Sequence, residues 1–319
     1  MLTSEVLPLI DEAAQRVYSV VRETPVVPLP LGGRPPSSPA AFAKLEQLQT
    51  TGSFKLRGAA NKLMSLSRQA AAAGVITSST GNHGLGVAAA AKILGIDAEV
   101  FLSSQVSQGK QEKILKQGAR IRLIGDDPLA AEIAAREAAV KTGRSYVSPY
   151  NDPYVVAGQG TVAVELMKQL PDLDAIFIAT GGGGLISGIG TLLHHRSPRT
   201  EVIGCWPKNS AVLYECIKAG RIFEAPELPT LSESTAGGVE EGSITFDLCR
   251  EVMHHGVLVT EEAILSAMRW GHAQGWAMEG SSGVALAAYF KEAERYAGRK
   301  ALVLICGGNP SPAIRDLLD

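Results

Sequence analysis

One lysine in the first part of the chain is well suited to covalent chemistry. Lys55 lies in the stretch TGSFKLRG at residues 51–58, between small residues and an aromatic ring and just before a helical pattern. A lysine that its surroundings deprotonate can form a Schiff base with an aldehyde. Most lysines near the start of a helix are simply solvated charges, so this interpretation requires partner groups elsewhere in the chain.

A second stretch combines short hydroxyls with the start of a helix. Residues 78–84 read SSTGNHG and follow a predicted strand. Main-chain amides and hydroxyls at a helix N-terminus form an anion site suited to a substrate carboxylate, and the Asn82 amide can donate to a phenolate-like oxygen. The alternative is a strand-to-helix turn that is capped by serine and threonine.

The same region formally matches a dinucleotide fingerprint. Gly84, Gly86 and Ala89 satisfy the pattern G-x-G-x-x-A. In that fingerprint the first glycine follows the strand directly, whereas here four residues, TGNH, intervene. This pattern leaves a nicotinamide-dependent oxidoreductase open as an alternative from another class of enzyme.

A run of four glycines follows a strongly apolar strand. Residues 175–179 read AIFIA, and TGGGGLISGIG follows at residues 180–190. Four consecutive glycines remove every side chain from a turn, so that successive N–H groups can converge on a phosphate at the next helix. A simple turn would need only one glycine, and the pattern matches neither nucleotide motif. The run therefore favours a phosphate site.

A thiol stands at the tip of another apolar strand. Cys306 follows LVLI at residues 302–305 and precedes Gly-Gly-Asn. A neutral thiol beside a ring nitrogen cannot supply the counter-charge of a carboxylate, so the nitrogen would stay largely unprotonated. The alternative is a buried cysteine that acts as a small apolar residue.

The composition favours a small-molecule partner. The 319 residues carry a formal net charge of −2, and the sequence pI is about 6.3, which offers no basic field for nucleic acid or a membrane surface. We expect a cytoplasmic protein, because no signal peptide or membrane span is evident. The four cysteines show no C-x-x-C pairing, so we expect neither disulfides nor a metal site.

Alternating strand and helix patterns predict the elements that position these residues. Ser4 is the expected N-cap of the first helix, residues 24–39 a surface loop, and residues 207–260 loops over a site. Strands separated by helices indicate parallel sheets, whose ligands bind at the carboxyl ends of the strands. We predict helices over residues 4–21, 58–66, 84–94, 110–117 and 128–142, and strands over residues 41–46, 74–79, 97–102, 119–124, 175–179, 201–206 and 301–305.

Together the four stretches resemble one family, the fold-type II pyridoxal-phosphate enzymes, in the branch of serine/threonine dehydratases and serine racemase. AGQGT at residues 157–161 and MEGSSGV at residues 278–284 are similar to that branch as well. The resemblance implies an α/β fold of two open, mainly parallel sheets flanked by helices, similar to tryptophan synthase β. It implies a large domain of residues 1–73 and 147–319, a small mobile domain of residues 74–146, pyridoxal 5'-phosphate in the cleft between them, and a homodimer.

The resemblance also implies a role for each motif residue. Lys55 would carry the cofactor and act on the substrate Cα proton, and Thr80 would be a second catalytic residue. The remaining expected contacts are Phe54 with the ring, Asn82 with the ring hydroxyl, Gly181, Gly182, Gly183, Gly184 and Leu185 with the phosphate, Cys306 with the ring nitrogen, and Ser79, Thr80, Gly81, Asn82 and His83 with the substrate carboxylate.

The implied reaction is dehydration and deamination of a β-hydroxy amino acid such as L-threonine or L-serine. An unprotonated ring is a weaker electron sink, which favours loss of the hydroxyl over transamination. A racemase is the alternative within the family, although Thr80 stands where the family's racemases have serine. STAGG at residues 234–238 replaces the Asp-Gly usual in threonine dehydratases, so phenylserine, hydroxyaspartate or a hydroxyectoine-derived substrate stays open.

Two further features of the family are not expected here. Relatives that bind a divalent cation use acidic residues where this chain has Trp206 and Val212, which cannot ligate a hard cation. We interpret Glu240 and Glu241 as a solvated loop. The sequence stops ten residues after Asn309, so we expect no carboxy-terminal regulatory domain.

Overall fold

A computed structural model describes residues 1–31, 41–79 and 81–318 of the chain. Two sequence-based predictions lie outside these residues: the second half of the predicted surface loop, residues 32–39, and both roles of Thr80.

Within the described residues, ten strands form two sheets. A six-stranded sheet has the order β1-β2-β10-β7-β8-β9, and a four-stranded sheet has the order β5-β4-β3-β6. All neighbouring pairs are parallel except β1 with β2, so the predicted α/β class with two mainly parallel sheets is confirmed. The strands are β1 (Val26–Pro28), β2 (Phe42–Leu45), β3 (Val75–Ser78), β4 (Ala98–Leu102), β5 (Arg120–Leu123), β6 (Ser145–Tyr146), β7 (Ala175–Ala179), β8 (Glu201–Pro207), β9 (His255–Val259) and β10 (Ala301–Ile305).

Helices cover the faces of both sheets. None of the helices within the described residues is long and apolar enough to cross a membrane. The helices are α1 (Thr3–Arg16), α2 (Lys55–Met64), α3 (Arg68–Ala73), α4 (Asn82–Leu94), α5 (Gln108–Leu115), α6 (Pro128–Thr142), α7 (Pro153–Gln169), α8 (Gly184–Arg196), α9 (Val212–Ala219), α10 (Ile244–Val252), α11 (Glu261–Ala273), α12 (Gly280–Glu292) and α13 (Pro312–Arg315).

The central strands of the large sheet are uninterrupted apolar runs, which the sequence shows directly. AIFIA in β7 and ALVLI in β10 are buried at every position, as expected for central strands of a parallel sheet covered on both faces. The small sheet contains β3 to β6, all between residues 75 and 146. The proposed domain boundaries stay a prediction.

Several predicted bounds were wrong. Ser4 is not an N-cap, because α1 begins at Thr3, and the main-chain N–H of Leu2 donates to the Glu5 carboxylate at 2.7 Å. The predicted helix from residue 58 begins at Lys55 instead. Residues 207–260 contain α9, α10 and β9 in addition to loops, and strand β1 lies in the predicted surface loop.

Two glycines allow α2 and α7 to pack at backbone contact. A Cβ on Gly58 would lie 2.8 Å from the carbonyl oxygen of Val155, and one on Gly158 would lie 2.5 Å from that of Arg57. Since real Cβ atoms do not come this close to a carbonyl oxygen, only glycine permits this packing. The first turn of α2 is therefore placed directly against α7.

A buried cluster of two cations and two anions holds the same turn. Arg57 Nε donates to Glu46 at 2.7 Å, and Arg57 Nη1 donates to Glu165 on α7 at 2.5 Å. Lys44 of β2 also donates to Glu165, at 2.5 Å, and all four side chains are no more than 1% exposed. Burial opposes the charge of Arg57, but the two carboxylates outweigh it and raise the pKa of the guanidinium. The cluster joins α2 to β2 and α7.

We expect Arg57→Met to lower the free energy of unfolding by about 3–5 kcal/mol, because it leaves two buried carboxylates with only Lys44 as a counter-ion. Urea denaturation of the cofactor-free protein measures the change. Arg196→Met is the matched control, since Arg196 pairs with Asp11 at the surface at 2.6 Å. That variant should lose less than about 1 kcal/mol. Equal losses in both variants would contradict a structural role for the buried cluster.

Candidate active site

Three of the predicted motifs follow neighbouring strands of the large sheet. Strands β2, β10 and β7 are adjacent and parallel. Their carboxyl ends therefore lie at one edge, the usual ligand-binding edge of such a sheet. The chain after β2 leads to Lys55, the chain after β10 begins with Cys306, and the glycine run follows β7. The structure brings these distant parts of the sequence together.

Hydrogen bonds join the segment before α2 to the end of β10. The main-chain N–H of Phe54 donates to the carbonyl of Cys306 at 3.1 Å, and Ser53 forms an isolated β-bridge with Gly307. Lys55 is the next residue and the first of α2. Its position relative to Cys306 is therefore fixed by the backbone rather than by side-chain packing alone.

Lys55 lines a cavity of about 360 Å³. Its Nζ donates to the carbonyl of Pro149 at 2.9 Å and lies 5.2 Å from the centre of the Phe54 ring. Burial lowers the pKa of Lys55 to about 8, although nearby Cys306 and Glu279 partly oppose this effect. A larger fraction of this amine is neutral near pH 8 than of an ordinary lysine, as a nucleophile requires.

The SSTGNHG stretch forms another wall of this cavity. The segment lies between β3 and α4, as predicted. The cavity is lined, in addition to Lys55, by Ser79, Gly81, Asn82 and His83. Because α4 begins at Asn82, the N–H groups of its first turn have no partner within the helix and are available to an anion.

The His83 side chain is engaged elsewhere. It is buried, and its Nε2 lies 3.0 Å from the carbonyl of Val147, which can only accept, so Nε2 carries the proton. Burial, with a smaller effect from the Lys55 charge, lowers the pKa of His83 to about 3. Its Nδ1 has no partner among the described residues. A neutral ring with its N–H already bonded is poorly suited to hold a carboxylate, so the main chain of the stretch is the better anion donor.

The glycine run makes a turn in which neighbouring groups leave no room for side chains. A Cβ on Gly182 would lie 2.5 Å from the Tyr150 ring, and Gly183 has a φ of +86°. The turn ends at the N-terminus of α8, a helix of 13 residues. Leu185, in the first turn of α8, is buried.

The turn has the donors that a phosphate needs. The carbonyl of Gly182 accepts from Thr245 Oγ1 at 2.6 Å, and that of Gly183 accepts from the N–H of Ser187 at 2.9 Å. By contrast, the N–H groups of Gly181, Gly182 and Gly183 donate to no group in the part of the chain that the structure describes. Free N–H groups beside a helix N-terminus fit the phosphate of the implied cofactor.

Cys306 remains a thiol. Burial raises its pKa to about 12, and the nearby Glu279 carboxylate adds to this shift. Its Sγ donates to Ser281 Oγ at 3.2 Å. A neutral thiol at this position fits the expectation of a ring nitrogen without a counter-charge.

One buried acid in the site was not predicted. The carboxylate of Glu279 lines the cavity, is 6% exposed and accepts from Asn82 Nδ2 at 2.8 and 3.0 Å. The stretch MEGSSGV contributed to the family resemblance, but no role was given to its glutamate. The available signal was a carboxylate directly before a glycine-serine helix start, because negative charge is favoured at a helix N-terminus.

The structure contradicts the dinucleotide alternative. Gly84, Gly86 and Ala89 lie inside α4 rather than in a turn. A Cβ on Gly86 would lie 3.2 Å from the Leu56 main-chain nitrogen, so this glycine allows α4 to pack on α2. A fingerprint glycine must instead approach a pyrophosphate in a turn, so this alternative was wrong.

Glu240 and Glu241 lie in a loop, as predicted, and Glu241 is exposed, but Glu240 is partly buried and has specific partners. Its carboxylate accepts from Arg136 of α6 at 2.7 Å and from Asn151 Nδ2 at 2.9 Å. It thus links a helix of the small-sheet region to the segment between β6 and α7 and to the loop before α10. Among the described residues, no group of three or more His, Cys, Asp or Glu side chains is arranged to hold a metal ion.

We expect the amine of Lys55 to react at unusually low pH. In the cofactor-free protein, modification by trinitrobenzenesulfonate should be half-maximal near pH 8 rather than at the ordinary lysine value of 10.5, because the neutral amine is the reactive form. Mass spectrometry of the modified peptides measures the rate at each pH, and the exposed Lys116 in the same sample serves as the reference. A midpoint near 10.5 for Lys55 would contradict the effect of burial.

Comparison with known proteins agrees with this geometry. The chain is 37% identical to an L-threonine ammonia-lyase of Thermotoga maritima, over 84% of this chain and 67% of that protein. Two solved structures are similar: threonine deaminase isoform 2 of Solanum lycopersicum (30% identity, TM-score 0.91, 99% of this chain and 92% of that one) and maize serine racemase (28%, 0.88, 96% and 94%). The family model for pyridoxal-phosphate dependent enzymes matches residues 17–307. The chain therefore belongs to the pyridoxal-phosphate dependent enzymes.

Proposed function

We propose that the protein is an ammonia-lyase that removes the β-hydroxyl of L-threonine or L-serine and releases a 2-oxo acid and ammonia. The observation that carries the proposal is the position of Lys55, with its lowered pKa, in a cavity that is also lined by the start of α4 and its free N–H groups. The relatives named L-threonine ammonia-lyase, at 37% and 35% identity, support this choice of reaction.

We propose that pyridoxal phosphate is held by residues that line the cavity, Lys55 and Asn82, together with Phe54, the glycine turn and Cys306, which lie outside the lining. We assign the aldehyde to Lys55, the phosphate to Gly181–Gly184 with Leu185, and the ring nitrogen to Cys306. Phe54 would pack on the ring, and Asn82 would donate to its hydroxyl. When bound, the cofactor supplies a carbonyl that condenses with amines and a ring that withdraws electrons from the substrate Cα.

The chain's own groups then bind the substrate and move its protons. The N–H groups at the start of α4, together with Ser79, hold the carboxylate. The neutral amine of Lys55 takes the Cα proton, and the carbonyl of Pro149 orients that amine. Because the Cys306 thiol offers no negative charge to a ring proton, electron withdrawal stays weak. Weak withdrawal favours departure of the β-hydroxyl over transamination.

Racemisation is the second candidate function. Maize serine racemase and an aspartate racemase are similar structures at 28% and 30% identity. A racemase needs an acid on the face opposite Lys55, and we assign that role to the hydroxyl of Thr80, a residue outside the described part of the chain.

The choice of substrate depends on the contacts that the segment STAGG, residues 234–238, makes with the substrate side chain. The main chain of Thr235 packs against Gly181, and Ser234 Oγ donates to Glu279 at 2.9 Å. This segment therefore contacts both the glycine turn and the cavity. Because this segment differs from the Asp-Gly usual in threonine dehydratases, phenylserine, hydroxyaspartate and hydroxyectoine-derived compounds are alternative substrates to serine and threonine.

We further propose a cytoplasmic homodimer whose small domain, residues 74–146, moves relative to residues 1–73 and 147–319. The two separate sheets support two domains. The net charge of −2 supports a protein without a nucleic-acid or membrane partner.

We expect the purified enzyme to release a 2-oxo acid and ammonia from serine or threonine, and Lys55→Ala to lose at least about 10²–10⁴-fold of this rate, because the base is removed. Coupled reduction of the 2-oxo acid measures the rate, and the other hydroxy amino acids are tested in parallel. Lys116→Ala, at an exposed lysine, should keep full activity.

Two outcomes would contradict this proposal. One is the absence of visible cofactor absorbance together with the absence of 2-oxo acid release. The other is solvent deuterium exchange at Cα, with inversion and no ammonia, which would assign the protein as a racemase.

We expect Gly182→Ala to weaken binding of pyridoxal phosphate, because its Cβ would lie 2.5 Å from the Tyr150 ring and would displace the turn. The typical overpacking cost of about 1–3 kcal/mol corresponds to a Kd raised about 5- to 150-fold. Titration of the cofactor-free protein measures this Kd. Gly238→Ala is the control, because a Cβ there would meet open space. Unchanged affinity in Gly182→Ala would contradict the assigned phosphate site.

A further inference from the structure

Three side chains of the site form a closed set of hydrogen bonds. Asn82 Nδ2 donates to Glu279 at 2.8 and 3.0 Å, and Asn309 Nδ2 donates to Asn82 Oδ1 at 2.8 Å. The main-chain N–H of Asn309 closes the set by donating to Glu279 at 3.2 Å. The three residues come from the start of α4, the residue before α12 and the segment after β10.

The direction of these hydrogen bonds is fixed at both ends. At one end, Asn309 Nδ2 also donates to the main-chain carbonyl of Thr51 at 2.9 Å, and a carbonyl can only accept. At the other end stands the Glu279 carboxylate, which likewise only accepts. The amide of Asn82 can therefore satisfy both neighbours in one orientation alone, with Nδ2 toward Glu279 and Oδ1 toward Asn309.

The surroundings of Glu279 keep its carboxylate in place. It accepts from Ser234 Oγ at 2.9 Å and from Ser281 Oγ at 2.8 Å, and it stands at the N-terminus of α12, where negative charge is favoured. A Cβ on Gly307 would lie 2.6 Å from the carboxyl carbon, so glycine is required there to make room. The carboxylate is thus built into the cavity wall.

We propose that Glu279 is a positioning residue that acts through Asn82. By accepting from Asn82 Nδ2, the carboxylate holds the amide so that the remaining N–H of this NH₂ group is presented to the ring hydroxyl of the cofactor. This inference rests on the proposed function, since it needs pyridoxal phosphate beside Asn82. The alternative is that the three residues only join α4, α12 and the end of β10 as a structural tie.

Glu279→Gln tests the inference because it replaces an acceptor by an NH₂ group. The glutamine amide has one oxygen and one NH₂ group in place of the two carboxylate oxygens that accept from Asn82. In either orientation, the glutamine NH₂ lies beside the NH₂ of Asn82 or forces the Asn82 amide to turn. We expect the Kd for pyridoxal phosphate to rise about tenfold, and the visible absorption maximum of the saturated protein to shift. Glu23→Gln is the matched control, because it removes the same charge from an exposed residue outside the cavity, where Glu23 accepts from Gln169 Nε2 at 2.7 Å. It should keep the wild-type Kd and absorption maximum.

A double variant separates positioning from a structural tie. In Glu279→Gln with Asn82→Asp, the new carboxylate accepts from both Gln Nε2 and Asn309 Nδ2, so the three-residue set is restored without an N–H for the ring hydroxyl. We expect the Tm of the cofactor-free protein to return toward the wild-type value, while the Kd and absorption maximum stay altered. Recovery of all three would overturn the inference, as would a wild-type Kd and spectrum in Glu279→Gln alone.

These results are distinguishable from failure of the proposed function. If the wild-type protein binds pyridoxal phosphate and shows the visible band but releases no 2-oxo acid, the proposed reaction is wrong, whereas the Kd and spectral tests of Glu279 are unaffected. If the wild-type protein does not bind pyridoxal phosphate, both proposals are overturned.

Discussion

The buried contact of Arg57 with Glu46 and Glu165 is the constraint on which the site depends. Arg57 lies two residues after Lys55, and its guanidinium is completely enclosed. Since an uncompensated buried charge costs several kcal/mol, the first turn of α2 cannot move away from β2 and α7 without breaking the cluster. Gly58 and Gly158 allow the close approach that this geometry requires. The amine of Lys55 is thereby anchored by charges that take no part in the chemistry.

From that anchor the parallel sheet assembles the remaining groups. Parallel neighbours end at the same edge, so the segments after β2, β10 and β7 supply an amine, a thiol and free main-chain N–H groups to one region. Each is tuned by its surroundings: burial lowers the pKa of Lys55 and raises that of Cys306. Both groups are thus favoured in their neutral forms, which suits an amine that takes a proton and a thiol beside a neutral ring nitrogen.

Much of the fold could be predicted because its strongest local signals agree with the tertiary structure. The uninterrupted apolar runs of β7 and β10 have the predicted bounds, since central parallel strands are buried on both faces. Prediction failed where an element is defined by contacts with segments that are distant in the sequence. Strand β9 was missed although it contains Val257, Leu258 and Val259, because this apolar run is short and lies in a segment otherwise rich in glycine and acidic residues; its pairing with β8 defines it as a strand. Helix α2 begins at Lys55 because the preceding residues are held by the end of β10.

The sequence by itself determined which chemical groups this protein can use. A lysine after Ser-Phe, four consecutive glycines and a strand-end cysteine have meaning through residue type and order, because an amine, a side-chain-free turn and a thiol are local properties. Tertiary structure decided how those groups are oriented and which others join them. Glu279 contacts Asn82 from 197 positions away, and the tautomer of His83 is set by the carbonyl of Val147. Hydrogen bonds between distant segments have direction and distance requirements that no local pattern contains, so only the folded chain could supply them.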